Sequence, residues 1–387
     1  MKLISTCRVS DDVSKGQSRT RAYFGGVLAL IAGILAFDCA HVSPGRTLAT
    51  WDEAIYYNVA QNVLDGRWVL PLHSNADHPL GIREPFLHKP PLVYWIDAVS
   101  MGLFGETVAS ARLTTAIATA FIVVLIVVFA VREAGVFAGI VAAWFGTEVP
   151  ALYGTHAGNN VATDPFLVLF ALGAVFVFFL ALDSGEDREP VYAVLSGMLG
   201  GLAVLSKGVA VGPVALGCLP LAVYSRRHLS RRSWGLLFGS AVLVVLPWFL
   251  AVAALAPTQL WEQMFYRQAV QRATGAMFIS NPGTFSFMDY PYFRTAPDYF
   301  GIVWWLAPVA VVAGLVLDRL NRVSRRLQLF VWPLAVTIVV VYAVVGNHQW
   351  YYLPAASVLV IGVSVVSTKS MLSVAEVIGT EIAFRTA

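Results

Sequence analysis

The sequence predicts an all-α fold, a polytopic transmembrane helical bundle, on three observations. Of 387 residues, 58% are hydrophobic and only 13% charged, with mean hydropathy +0.70, whereas a soluble globular domain carries about 25% charged residues. A soluble core could not bury so much apolar chain without an apolar surface as well. The apolar residues also fall into about ten runs near the ~20 residues a helix needs to cross the hydrocarbon. Finally, the dense Arg clusters lie between alternate runs, as the basic bias of cytoplasmic loops requires.

The runs cover 22–41, 107–131, 136–155, 163–182, 191–205, 208–224, 234–256, 299–317, 329–345 and 351–367. A polar leader, 1–21, holds Lys2, Arg8, Lys15, Arg19 and Arg21. The run after it is long for the apolar part of a cleaved signal, and no small-x-small site follows. It reads as an uncleaved anchor with a cytoplasmic N-terminus. Alternation then places inside Arg132; Arg188; Arg226, Arg227, Arg231 and Arg232; Arg319, Arg322, Arg325 and Arg326; and Lys369 in a cytoplasmic tail, 368–387. The outer loops are 42–106, 156–162, 206–207, 257–298 and 346–350, all within one domain spanning 1–387.

The apolar piece Leu92–Phe104 contains Asp97 and lies between Pro91 and Gly105. It is short for a span, and counting it as one would turn the Arg226–Arg232 cluster outward. It reads as an interfacial or re-entrant helix within the first outer loop. A net charge of +3 gives no footprint for nucleic acid. Cys7, Cys39 and Cys218 lie far apart, with neither a disulfide framework nor a metal-knuckle spacing.

Most of the remaining unusual polar residues fall in the outer loops. The first holds Trp51-Asp52-Glu53-Ala54-Ile55-Tyr56-Tyr57 and His88-Lys89-Pro90-Pro91-Leu92-Val93-Tyr94-Trp95. The second brings His156, Asn159 and Asn160, with Asp164 just beyond; the third is Ser206-Lys207-Gly208. The fourth holds Arg267 and Arg272, and the fifth Asn347, His348, Gln349, Trp350, Tyr351 and Tyr352. Asp52, Glu53 and Asp164 are carboxylates at a water–lipid boundary, where a general base can be held partly desolvated. Lys89, Lys207, Arg267 and Arg272 are cations suited to phosphate. Together they point to group transfer from a phosphorylated lipid, with a base activating an acceptor hydroxyl and cations stabilising the departing phosphate.

Each signal has an ordinary reading. A lone Asp or Lys at a helix end is commonly a solvated boundary residue, and interfacial Trp and Tyr commonly anchor the bilayer edge. Asp183, Glu186, Asp187 and Arg188 read as a solvated cytoplasmic turn. Arg112, in or near a span, is either functional or a structural partner.

Taken in order, the pieces resemble the GT-C membrane glycosyltransferases. The branch they are most similar to holds the lipid A aminoarabinose transferases and the protein O-mannosyltransferases. Asp52-Glu53 followed by Tyr56 and a run to Asp65-Gly66 looks like the family's first-loop signature. His88-Lys89-Pro90-Pro91-Leu92 with Tyr94-Trp95 is similar to its Lys-Pro-Pro-Leu-x-Tyr-Trp stretch, the most specific motif. Arg112, Asp164-Pro165-Phe166, Ser206-Lys207-Gly208, Pro247-Trp248, Gln271-Arg272 and Tyr351-x-Leu353-Pro354 follow in order, so the resemblance runs from about residue 20 to 367.

The resemblance implies inverting transfer from a polyprenyl-phosphate sugar donor to an extracytoplasmic acceptor, either lipid or protein, in a multi-pass protein of the bacterial inner membrane. By it, Asp52 is the base and the transition state oxocarbenium-like. Lys89, Lys207 and Arg272 contact the donor phosphate, with Tyr351 near it. Asp164 shapes the sugar or acceptor site, and Glu53 joins the catalytic group. His88, Tyr56, Arg112 and His348 are further candidates. Some members hold a metal through a Glu before the loop Lys and a His three residues before the Arg. Here those positions are His88 and Ala269, so the resemblance carries over no metal site, and no cofactor is expected. Ile55 replaces an Arg frequent in the aminoarabinose branch, so no particular sugar is implied. Longer members continue past the tenth span, which makes a minimal core the expectation. The alternatives are a transporter or flippase of lipid-linked glycans, or a non-catalytic membrane component. Transporters show inverted repeats and charges near the midplane, whereas a non-catalytic component would keep its function in Asp52→Asn.

Overall fold

The computed structural model describes residues 48, 50–74, 83–154, 156–271, 291–345 and 349–386. The expected leader, the anchor at 22–41, Arg272 and His348 lie outside these residues. The fold is all-α. The first helix, α1 (Trp51–Leu64), opens where Thr50 Oγ1 accepts the Glu53 N–H at 3.2 Å, and Asp52 and Glu53 complement its dipole. A two-stranded antiparallel ribbon follows, β1 (Leu72–Ser74) with β2 (Arg83–Pro85). Next comes α2 (Leu92–Phe104), which stops at Gly105, φ +94. It is the short apolar helix expected within the first outer loop.

The bundle proper starts with α3 (Val108–Ala134), capped by Thr107 Oγ1 on Ser110 N–H at 3.1 Å. It continues through α4 (Val136–Glu148), α5 (Asp164–Asp183), α6 (Glu189–Lys207), α7 (Val211–Ser225) and α8 (Arg231–Leu255). A short turn, Pro257–Leu260, leads into the π-helical segment Trp261–Gln271. The described chain ends with α9 (Pro291–Phe300), α10 (Ile302–Arg319), α11 (Arg325–Val345) and α12 (Leu353–Thr386). Six helical stretches among the described residues are long and apolar enough to cross a membrane: α3, α5, α6 with α7, α8, α10 and part of α12. The protein is therefore a multi-pass membrane protein.

Four expected spans differ in the structure. The run at 136–155 forms only a 13-residue helix before Pro150, because proline lacks an N–H and disfavours helix in the residue before it. The runs at 191–205 and 208–224 are α6 and α7, consecutive parts of one apolar stretch broken by the turn Gly208–Ala210. The last helix runs far past 367 to Thr386, since no proline interrupts the expected tail. Hydropathy marks where the apolar stretch ends, not where the helix does.

The core packs α3, α4, α5, α11 and α12 through Phe129, Phe179, Phe330 and the buried Val and Ile residues of α12. On α6, Gly197 and Gly201 lie against the backbone of α8. A Cβ there would stand 2.0 Å from Leu237 O or 2.8 Å from Ala241 O, so only glycine permits this approach.

The charged residues divide between the two ends of α5, a 20-residue helix about 30 Å long. At its last residue, Asp183 pairs with Arg132 and, at 2.6 Å, with Arg326. These three come from three regions expected on the cytoplasmic side. At its first residue, Asp164 sits among groups from the expected outer loops.

Candidate active site

Helix α1 sorts adjacent carboxylates by its period. Tyr56, one turn beyond Asp52, donates its hydroxyl to Asp52 Oδ2 at 3.2 Å. Glu53 is turned about 100° away and points into the protein. Its Oε1 and Oε2 accept from Arg112 Nε and Nη2 at 2.7 and 2.9 Å, and Oε1 also accepts the Val161 N–H at 2.9 Å. The Asp52 side chain is 38% exposed, that of Glu53 fully buried. Only Asp52 is open to an incoming molecule.

The cations come from two other stretches. Lys89 lies just before α2, with Nζ 4.2 Å from the centre of the Tyr56 ring. The chain around it is held by Gln263, whose Oε1 accepts Leu87 N–H at 2.8 Å and whose Nε2 donates to Pro85 O at 3.0 Å. Lys207 ends α6, buried and paired with Asp164, and its Nζ lies 4.6 Å from the Tyr351 ring centre. Gly208 is left-handed, φ +59, and a Cβ there would stand 3.1 Å from Pro90 Cδ. Glycine thus lets the Lys207 turn close against the Lys89 stretch. Asp164 Oδ2 is buried, with no hydrogen-bond partner among the described residues.

Between these groups lies His156, in the turn before α5. It is 4% exposed, its φ is +62, and its Nε2 is 3.8 Å from Asp52 Oδ2. Burial, reinforced by Lys89 and Lys207 and opposed by Asp164 and Asp52, pushes the imidazole down to about 4. It is neutral at physiological pH. All four charges act on this one ring, as expected where Asp52 is 3.8 Å away and the Lys89 and Lys207 stretches pack together.

The structure thus brings Asp52, Tyr56, Lys89, Asp164, Lys207 and Tyr351 to one end of the bundle. His88 is near but turned aside, its Nδ1 3.3 Å from Gln268 Nε2. Arg267 is half exposed and pairs with Glu262 at 3.6 Å. Arg112 is engaged by Glu53. Sequence reasoning noted His156 without assigning it a role, since a lone His eight residues before Asp164 carries no motif. Among the described residues no three His, Cys, Asp or Glu side chains are grouped to hold a metal ion. The available chemistry is one open carboxylate, a neutral imidazole, and two ammonium groups each over an aromatic face.

A helical membrane bundle with a polar site at the edge of its apolar spans is the class of protein defined here, and known proteins of that class share its architecture. Residues 88–252 match the family model of dolichyl-phosphate-mannose-protein mannosyltransferases. The undecaprenyl phosphate-alpha-4-amino-4-deoxy-L-arabinose arabinosyl transferase of Aeromonas salmonicida is 30% identical over 236 residues, 59% of this chain and 40% of the relative. That of Shewanella sediminis is 28% identical over 275 residues, 69% and 46% of the two chains. The chain thus spans less than half the length of the curated relatives it matches. Among solved structures, ArnT from Cupriavidus metallidurans bound to undecaprenyl phosphate superposes with TM-score 0.64 at 22% identity, covering 88% of this chain and 60% of that one. The Archaeoglobus fulgidus oligosaccharyltransferase AglB, in complex with an inhibitory peptide and a dolichol-phosphate, gives 0.57 at 16%, covering 92% and 52%. In sequence and in fold the chain is thus similar to membrane glycosyltransferases.

Proposed function

We propose that this protein transfers a sugar, with inversion, from a polyprenyl-phosphate-linked donor to a lipid, glycan or protein acceptor on the extracytoplasmic side of a bacterial inner membrane. The observation that carries the reading is the convergence of one solvent-open carboxylate, Asp52, with two ammonium groups, Lys89 and Lys207, at one end of the bundle. In the reaction Asp52 takes the proton of the acceptor hydroxyl as its oxygen bonds to the anomeric carbon. The bond from that carbon to the phosphate oxygen breaks, and polyprenyl phosphate leaves with the electron pair. Lys89 and Lys207, with Arg272, balance the charge that grows on the leaving oxygens. Tyr351 lies against Lys207 and borders the phosphate position.

Two expected roles change. Glu53 is a support rather than a chemical group, because Arg112 and the Val161 N–H occupy its oxygens. Asp164 acts through Lys207, which it holds in place. Similarity of fold to a solved transferase bound to undecaprenyl phosphate supports the donor class. The basic residues at the other end of α5 support placing this end outside. A transporter would place its charges near the midplane, whereas this cluster lies at a helix end.

The test is transfer by purified protein from synthetic polyprenyl-phosphate sugars, beside Asp52→Asn. Loss of a general base costs about 10²–10⁴ in rate, with membrane insertion unchanged. Transfer at the wild-type rate by Asp52→Asn would sink the reading. Mass spectrometry of glycolipids and glycoproteins in a deletion strain then names both substrates: the accumulated lipid-linked sugar is the donor, and the missing modification marks the acceptor.

A further inference from the structure

We propose that His156 is the positioning residue of Asp52, holding Oδ2 so that Oδ1 alone meets the acceptor hydroxyl. The inference rests on the reading of Asp52 as base, and four observations carry it.

The first is backbone strain. Among the described residues only His156 and Asn321 are non-glycine residues with positive φ. Positive φ is uncommon outside glycine, even with Asn, Asp and His enriched there, and it costs free energy that glycine would avoid. Glycines stand two residues to either side, at Gly154 and Gly158, yet the left-handed position itself carries a large polar ring. Strain retained at a site signals a role for the side chain.

The second is placement. The ring is buried 3.8 Å from Asp52 and is close enough to Asp164, Lys89 and Lys207 to feel their charges. The third is convergence on one atom. Tyr56 Oη donates to Asp52 Oδ2, and His156 Nε2 approaches that same oxygen at 3.8 Å. Asp52 Oδ1 has no hydrogen-bond partner among the described residues. A carboxylate held by two groups through one oxygen presents the other in a defined direction. The 3.8 Å separation is longer than a hydrogen bond, and such contacts tighten once substrate closes the site. A neutral imidazole with its proton on Nε2 can donate to Oδ2 without competing as a cation for the base.

The fourth is mechanical. The turn carrying His156 is tied down by Gly158 N–H to Leu152 O at 3.0 Å and by Asn159 Nδ2 to Tyr153 O at 3.0 Å. Val161 N–H then donates to Glu53, the neighbour of Asp52. Glu53 thus fixes the turn to α1, and the turn returns a ring to the adjacent carboxylate. The distance between His156 and Asp52 is set by a closed loop of contacts, not by a flexible side chain.

The experiment compares wild type with His156→Gly, His156→Gln and Asp52→Asn as purified full-length chains, measuring kcat, donor KM and the thermal midpoint. Glycine adopts positive φ without strain, which offsets part of the packing lost with the buried ring. We expect His156→Gly to fold and insert, with relieved strain partly offsetting the lost packing in its thermal midpoint, and to lose about 10²-fold in kcat, the scale of a misplaced reacting group. Donor KM should stay within about twofold, since no phosphate contact is removed. His156→Gln, whose amide N–H reaches as far as Nε2, should recover to within about tenfold of wild type. If the glycine variant is not recovered from the membrane, His156→Asn keeps the left-handed preference but is too short to reach Asp52, and it should be as slow. Wild-type kcat in His156→Gly or His156→Asn overturns the inference, as does His156→Gln no faster than His156→Gly. If Asp52→Asn is inactive while His156→Gly is normal, only the positioning role fails. If Asp52→Asn transfers normally, the base assignment fails first.

Discussion

Glu53 and Arg112 close a two-point ion pair at 2.7 and 2.9 Å in which neither side chain reaches solvent. With the Val161 N–H on the same carboxylate, it joins the first loop, the start of α3 and the turn before α5. Removing one partner leaves a buried charge without its counterion, at a cost of about 3–5 kcal/mol. Glu53→Gln and Arg112→Met should therefore lower the thermal midpoint in detergent far more than Asp52→Asn, whose carboxylate is partly solvated. A Glu53→Gln protein that melts like wild type but transfers no sugar would return Glu53 to the chemistry.

The buried pair of Lys207 and Asp164 separates stability from donor binding. Lys207→Met alone strands Asp164 and should destabilise by about 3–5 kcal/mol. Adding Asp164→Asn removes the stranded charge and should restore most of the melting temperature. Donor KM should remain raised by about tenfold or more, because the phosphate has still lost its ammonium group; tenfold corresponds to about 1.4 kcal/mol. Recovery of both properties in the double variant would show that Lys207 is structural only.

Gly208 links the two lysine-bearing stretches. Gly208→Ala forces a Cβ into a left-handed backbone, at about 1–2 kcal/mol, and to 3.1 Å from Pro90 Cδ. We expect a lower melting temperature and a drop in kcat/KM for donor as Lys207 and Lys89 move apart. Gly212→Ala, one turn further on in α7 with nothing within 4 Å of its Cβ position, is the control and should be neutral or slightly stabilising. Equal behaviour of the two variants would remove the role given to this contact.

Asp97 carries a pH dependence of stability. It is fully buried on α2, Thr114 donates to its Oδ1, and its Oδ2 has no hydrogen-bond partner among the described residues. Burial, opposed by the Thr114 bond, pushes its carboxyl from 3.8 up to about 8. An acid raised in this way holds its proton more tightly when folded. Its contribution is complete below the unfolded value and is lost as pH climbs toward and through the folded one. The wild-type thermal midpoint should fall from about pH 4 to about pH 8 and level off above that, and Asp97→Asn should flatten that decline. Parallel slopes in the two proteins would rule Asp97 out as its source.

From sequence alone came the membrane class, the order of the helices, the short α2 and the stretches bearing Asp52, Lys89, Asp164 and Lys207. Hydropathy, basic clusters and ordered motifs are properties of the chain read locally. They ran past the end of α4, where Pro150 outweighs apolarity, and stopped short of the end of α12, which continues without a breaker. The tertiary structure decided which of two adjacent carboxylates is open, that Asp164 and Lys207 hold one another, and that His156 stands beside Asp52. The pairs that settle this are far apart in sequence: 59 residues separate Glu53 from Arg112, and 43 separate Asp164 from Lys207. A helical period tells which residues share a face, but only the packing of other helices against that face decides whether it meets water, a counterion or a substrate.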